Sequence, residues 1–296
     1  MAAHDPVDVA VLGPASWNEM LLLDQLPEQR PHTVFARASH ETLGGTSAGK
    51  ALHLTDLGVA TRLLTPVAED DRGQRVEDAL VRAGVDLVVL PATGPTEHHV
   101  NLMTEAGERL SLYATPPADV RDRDLPALAA LDGQRAVVLD LAPWTRRLAE
   151  SAAGLGLPVW TDLHDHDGVD PWYEPFVAVS SHVFCSNDSL ADPLAFLHAV
   201  VDGGATAAVC TLGADGAVAV DARHDEWRVA AAPLERVVDS NGAGDAFFAG
   251  VLAATLGGVD LAGALEQGAR QAVRALGSTH LSPLVGDSQQ TLGRTR

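Results

Sequence analysis

The chain has 296 residues, enough for one large α/β domain or two smaller ones. Forty acidic against 20 basic side chains give a formal net charge of −20, which argues against nucleic acid and anionic membrane surfaces as partners. The hydrophobic content of 46% supports a sizeable core, and no apolar run reaches membrane-spanning length.

Met1 to Pro6 lacks a basic start and a long apolar core, so no signal peptide is expected and a cytoplasmic protein follows. Cys185 and Cys210 each end an apolar run without metal-ligand spacing, which predicts two buried, reduced thiols. Lys50 is the only lysine; the abundance of Ala, Gly and Arg reads as compositional bias rather than function.

In chain order, Val7–Leu12 reads as a buried strand closed by Gly13. The segment from Trp17 to Ala38 is irregular, with Met20–Leu23 and Thr33–Ala36 as candidate short strands. Gly44-Gly45 opens a helix that ends at Gly58. Thr61–Thr65 is a strand, Asp70–Ala83 an amphipathic helix, and Val85–Leu90 a strand. This alternation predicts a mainly parallel, doubly wound sheet.

His98–Tyr113 breaks the rhythm, with two extended arms around Glu105-Ala106-Gly107-Glu108. It reads as a hairpin projecting from the main sheet. His98 and His99 on its first arm are expected to be solvated, with a substrate-facing role for one of them as the alternative. Strands at 136–139, 158–161, 183–185 and 207–211 then alternate with helices at 143–153 and 193–201. Segments 217–220 and 226–229 read as an antiparallel pair, and helices at 243–256 and 261–276 close the core. The tail beyond Ser288 is polar. No linker long enough to split the chain is visible, so 1–296 reads as a single domain.

The stretch from Val237 to Gly250 carries the chemistry. It reads as a buried strand, two glycines and an apolar helix. Gly242 and Gly244 leave backbone N–H groups free to turn on an anion, and the helix adds its positive end. Asp245 falls in the first helical turn, where a carboxylate can take a proton from an attacking hydroxyl.

Asp239-Ser-Asn-Gly-Ala-Gly-Asp-Ala-Phe247 resembles the C-terminal signature of the PfkB, or ribokinase-like, carbohydrate kinases, with Ser240 in place of the usual Thr. The resemblance runs from Val7 to about Gly277 and implies a three-layer α/β/α fold with a mainly parallel central sheet and a small β lid. It places the lid in segments of approximately 17–38 and 96–114. It implies transfer of the ATP γ-phosphoryl group to a hydroxyl of a sugar or sugar-like compound. Asp245 would be the base, and the N–H groups of Gly242, Ala243 and Gly244 would form the anion hole.

Other segments match in order. Gly44, Gly45 and Ala51 fit the family's G-G-x-x-x-N-x-A motif at the substrate, but Gly49 stands where the Asn belongs. Asn18 stands in the place of a sugar-gripping Asp. Thr211, Gly213 and Gly216 resemble the T-x-G-x-x-G nucleotide loop. Asn187 fits N-x-x-E, with Leu190 where the Glu would be and Asp188 as the nearest carboxylate for magnesium.

Asp162 resembles the Asp of D-x-N, with His164 replacing Asn, and is placed facing the phosphates and their metal. The run from Asp162 to Asp167 also has the composition of a transition-metal site. The resemblance implies ATP and Mg2+, with a monovalent cation as a further candidate and a homodimer through the lid as a candidate assembly. A nucleoside or pyrimidine-alcohol kinase on the same fold is one alternative. A nucleotide- or sugar-binding protein with little catalysis, motivated by Gly49, Asn18 and Leu190, is another.

Overall fold

A computed structural model describes residues 7–105, 107–131, 133–152 and 156–289. The N-terminal hexapeptide, Ala106 of the hairpin turn and the tail beyond 289 lie outside them.

The first half of the chain folds as β1 (Val9–Leu12), β2 (Ser16–Leu23), β3 (Ala38–Gly44), α1 (Thr46–Asp56), β4 (Thr61–Val67), α2 (Asp71–Arg82) and β5 (Asp86–Pro91). The hairpin β6 (His98–Thr104) and β7 (Arg109–Thr115) follows. Next come β8 (Ala136–Leu139), α3 (Pro143–Ala152), β9 (Val159–Asp162), α4 (Glu174–Val179), β10 (His182–Ser186), α5 (Pro193–Asp202) and β11 (Ala207–Thr211). The chain closes with β12 (Ala217–Asp221), β13 (Glu226–Val229), α6 (Ala243–Leu256), α7 (Leu261–Leu276) and α8 (Pro283–Gln289).

The main sheet has the order β13-β12-β11-β10-β9-β8-β1-β4-β5. It is parallel from β11 to β5, and β12 and β13 add antiparallel strands at one edge. The central strands are continuous apolar runs because helices cover both faces. Val9 and Val11 of β1 enter one core cluster with α1, α6 and α7, while Ala10 and Leu12 enter the other with α3 and α5. Cys185 and Cys210 are buried, free and directly opposite one another in the β10–β11 register.

A second sheet, β3-β2-β6-β7, lies outside the first. β6 and β7 pair antiparallel, and β6 runs parallel to β2. Two expectations need correction here. Thr33–Ala36 is not a strand; the strand is Ala38–Gly44, which pairs antiparallel with β2. Val237 and Val238 do not form a buried strand. Both are exposed, and the backbone N–H of Val238 bonds to Leu276 O across 2.8 Å without joining a ladder.

Candidate active site

The parallel strands bring their carboxyl ends to one edge of the sheet, where open α/β folds place ligands. Asp140 follows β8, Asp162 ends β9, and Thr211 ends β11 opposite Ser186 of β10. The amino ends of α1 and α6 meet this edge. Most other long helices are capped by a side chain: Asp70 on α2, Asp192 on α5 and Asp260 on α7 each accept a first-turn N–H. The N-caps of α1 and α6 are Gly45 and Gly242, and neither offers a side-chain cap. Gly242 sits at φ +78, a left-handed conformation that favours glycine, and it gives the first turn of a 14-residue helix no side-chain cap; the Ala243 N–H makes a long bond of 3.4 Å to Ser240 O.

Asp245 lies in that first turn and is buried. Its Oδ1 accepts a hydrogen bond from Lys50 Nζ at 2.6 Å. Lys50 is itself fully buried and lies 3.2 Å from Asp140 Oδ2 and 3.3 Å from Asp162 Oδ2. Asp140 also accepts from Thr46 Oγ1 at 2.6 Å, Ser47 Oγ at 3.0 Å and the backbone N of Leu141. His164 closes the cluster with Nε2 3.2 Å from Asp140 Oδ1 and Nδ1 3.4 Å from Asp162 Oδ2.

The charges in this cluster set one another. Burial alone would depress the Lys50 ammonium, but Asp140, Asp245 and Asp162 hold it well above the usual lysine range. Burial would raise Asp140, yet Lys50 and His164 hold it well below an ordinary carboxylate. Burial opposes a charged His164, and Asp162, aided by Asp140, lifts it to about 9 against the repulsion of Lys50. For Asp245, burial outweighs the pull of Lys50 and pushes the carboxyl up to about 6.

The Asp162–Asp167 run does not converge on a metal. Asp162 Oδ1 accepts from the backbone N of His164, and its Oδ2 faces Lys50. His166 turns the other way and packs on Tyr173 and Phe196. No group of three or more metal-ligating side chains occurs among the described residues.

Of the residues expected at the nucleotide, Asn187 and Asp188 are exposed, and Asp188 Oδ2 accepts from Ser186 Oγ at 3.0 Å. The backbone N of Asn187 bonds to Thr211 O at 3.1 Å, tying the two loops together. Gly213 sits in a short turn with open space around it, and Gly216 closes that turn with its carbonyl on Leu212 N. Leu190 is buried in the core, so no carboxylate replaces the Glu at that position.

On the lid side, the carboxamide of Asn18 lies against Gly44, and its Oδ1 accepts from His99 N at 3.2 Å. Gly45 abuts Pro14 and Ala15. His98 and His99 are buried, not solvated as their hairpin setting suggested. His98 Nδ1 lies 2.7 Å from Trp17 O, and His99 Nε2 lies 2.6 Å from Glu97 Oε1 while its ring packs on Tyr113. Glu97 Oε2 is buried with no hydrogen-bond partner among the described residues. Sequence reading missed Lys50, Asp140 and Glu97 as members of this site.

The family model for "pfkB family carbohydrate kinase" matches residues 179–283. The acarbose 7(IV)-phosphotransferase of Actinoplanes sp. is 33% identical over 274 residues, covering 91% of each chain. The chain belongs to the pfkB family of carbohydrate kinases. The fructoselysine 6-kinase of Escherichia coli is 28% identical over 242 residues, covering 79% of this chain and 89% of the relative. Among solved structures, a microbiome-derived acarbose kinase superposes with a TM-score of 0.81 at 29% identity, over 92% of this chain and 93% of that one. The ribokinase of Thermotoga maritima shares the fold, with a TM-score of 0.77 at 16% identity over 95% of this chain and 98% of that one.

This kinase therefore has the ribokinase-like α/β fold and catalyses ATP-dependent phosphorylation of a hydroxyl on a sugar or sugar-like compound. None of its described helices is long and apolar enough to cross a membrane.

Proposed function

We propose that this kinase phosphorylates acarbose or a close chemical relative, with Asp245 as the general base. The observation that carries the reading is a buried carboxylate in the first turn of a helix whose N-terminus has no side-chain cap. The N–H groups of Gly242, Ala243 and Gly244 hold the phosphoryl oxygens. Asp245 takes the acceptor's hydroxyl proton as the new O–P bond forms and the bond from the γ-phosphorus to the bridging oxygen breaks, the bridging oxygen leaving on ADP. Thr211, Gly213, Gly216 and Asn187 line the nucleotide side. Asn18, Gly44 and Gly45 form the acceptor side, beneath a lid of β2, β3, β6 and β7, while Gly49, expected beside them from the motif, is buried in α1 against Asp245.

The open anion site suits triphosphate, and the free oxygen of exposed Asp188 suits a hydrated Mg2+. When bound, magnesium supplies charge neutralisation on the phosphate oxygens. Asp162 is engaged by Lys50 and His164, so this reading leaves the metal to Asp188. A monovalent cation remains a candidate activator. Exposed Leu110 and Leu112 on edge strand β7 support pairing of two copies through the lid, and the two buried thiols suit the cytoplasm.

An ATP-coupled assay over acarbose, fructoselysine, ribose and inosine tests the acceptor. Acarbose is expected to give the highest kcat/KM. A clear preference for inosine supports a nucleoside kinase instead, and no turnover of any of the four overturns the acceptor assignment.

A further inference from the structure

The chain's only lysine is completely buried, and it is surrounded by three carboxylates, from the residue after β8, the last residue of β9 and the first turn of α6. Its ammonium donates to Asp245 at 2.6 Å and to Asp140 at 3.2 Å, and lies 3.3 Å from Asp162 Oδ2. The Phe248 ring, one turn along α6 from Asp245, covers the ammonium at 5.2 Å from its centroid.

The preceding residue bears on the same carboxylate. A Cβ placed on Gly49 would lie 2.7 Å from Asp245 Oδ2 and 3.0 Å from its Cβ. Such contacts force the carboxylate to move. The residue that departs from the family motif is therefore the one whose lack of a side chain makes room for Asp245. An Asn at position 49 and Asp245 in this rotamer do not fit together.

We propose that Gly49 and Lys50 form the seat of the catalytic base: Lys50 holds Oδ1 of Asp245, and Gly49 leaves the space that Oδ2 occupies. Both are positioning residues, since both are buried and act on Asp245. The proposal rests on the assignment of Asp245 as base. It extends that assignment by saying what fixes the carboxylate's direction, and proton transfer depends steeply on direction. Asp140, held in turn by Thr46 and Ser47 of α1, anchors the ammonium from the opposite side.

The test uses Lys50→Met, Gly49→Ala and Asp245→Asn in the full chain. Turnover is read on acarbose and on the slow hydrolysis of MgATP, in which water replaces the acceptor. Lys50→Met and Gly49→Ala are each expected to lower kcat by roughly ten- to a hundredfold, the scale of a small misplacement of a reacting group. The KM values for ATP and acarbose should stay within about twofold, because binding contacts are untouched. Gly49→Ala puts a better helix former inside α1, so its rate loss cannot be assigned to a weakened helix. It keeps the proposal testable if Lys50→Met fails to fold.

A crystal structure of Gly49→Ala should show the Asp245 carboxylate rotated away from its present place. Wild-type kcat in Gly49→Ala, or in folded Lys50→Met, overturns the seat. A raised KM for ATP with kcat retained in Lys50→Met also overturns it and makes Lys50 a phosphate ligand. If Asp245→Asn is inactive while both seat variants are fully active, only this inference fails. If Asp245→Asn is itself fully active, the base assignment fails first.

Discussion

Lys50 Nζ and Asp245 Oδ1 lie 2.6 Å apart, although 195 residues separate them in the chain. The pair opposes two effects on one carboxyl: burial favours the neutral acid, and the ammonium favours the anion. Burial prevails, and the carboxyl stands at about 6. A general base works only when ionised. The rate is therefore full above that value and is lost as pH falls through it. The acid limb of the kcat/KM profile should fall with a midpoint near 6, well above the ordinary range for an aspartate. An acid limb near 4 would mean that the rate does not depend on this carboxyl.

Asp245→Asn keeps the shape of the side chain and removes the proton acceptor. Loss of a general base costs on the order of 10²–10⁴ in rate. Turnover should fall at least about a hundredfold, with ATP still raising the melting temperature through binding to the folded state. Asp239 differs. Its Oδ1 accepts from the backbone N of Asn241 at 2.8 Å, so it shapes the loop before α6. Asp239→Asn should weaken the ATP-induced melting shift more than it lowers kcat. Near wild-type turnover by Asp245→Asn would falsify the mechanism.

The glycine turn that opens α6 was legible because its signal is local: two glycines and an acid within four residues, just ahead of an apolar helical pattern. The seat of Lys50 was not, because Asp140 and Asp245 lie 90 and 195 residues away and only the fold assembles them. β3 escaped for a different reason. Ala38 to Glu41 are exposed and lack apolar alternation, so their extended form comes from pairing with β2. Val237 and Val238 show the converse: two residues of high β propensity without a partner strand remain exposed coil. The alternation of helices and strands was readable because central strands, buried on both faces, are continuous apolar runs.

The packing of α6 on α7 depends on two small residues. A Cβ on Gly250 would lie 2.8 Å from both Gln267 O and Gly268 Cα, which are backbone atoms of α7. Backbone cannot swing aside, so the helices must separate. Gly250→Ala improves helix propensity by up to about 1 kcal/mol. Overpacking typically costs about 1–3 kcal/mol and should outweigh that gain. Urea unfolding is expected to show net destabilisation, and a variant as stable as wild type would mean that the interface yields freely.

Glu97 is buried, with 4% of its surface exposed, and only one of its oxygens is paired. Burial raises its pKa, and the interaction with His99 works against that rise. Its charge is also felt at Tyr113 on the lid and interacts with that of Asp140 at the end of β8. A buried carboxylate oxygen without a donor is costly to maintain unless something donates to it. An acceptor hydroxyl entering between Asn18 and Tyr113 is the donor expected there. Hydrogen bonds to charged groups are worth about 1.5–3 kcal/mol, or roughly ten- to a hundredfold in binding. Glu97→Gln should raise the KM for the acceptor on that scale and leave the KM for ATP unchanged. Steady-state kinetics with each substrate varied in turn separates the two. An unchanged acceptor KM would make Glu97 a structural residue of the lid that does not contact the acceptor.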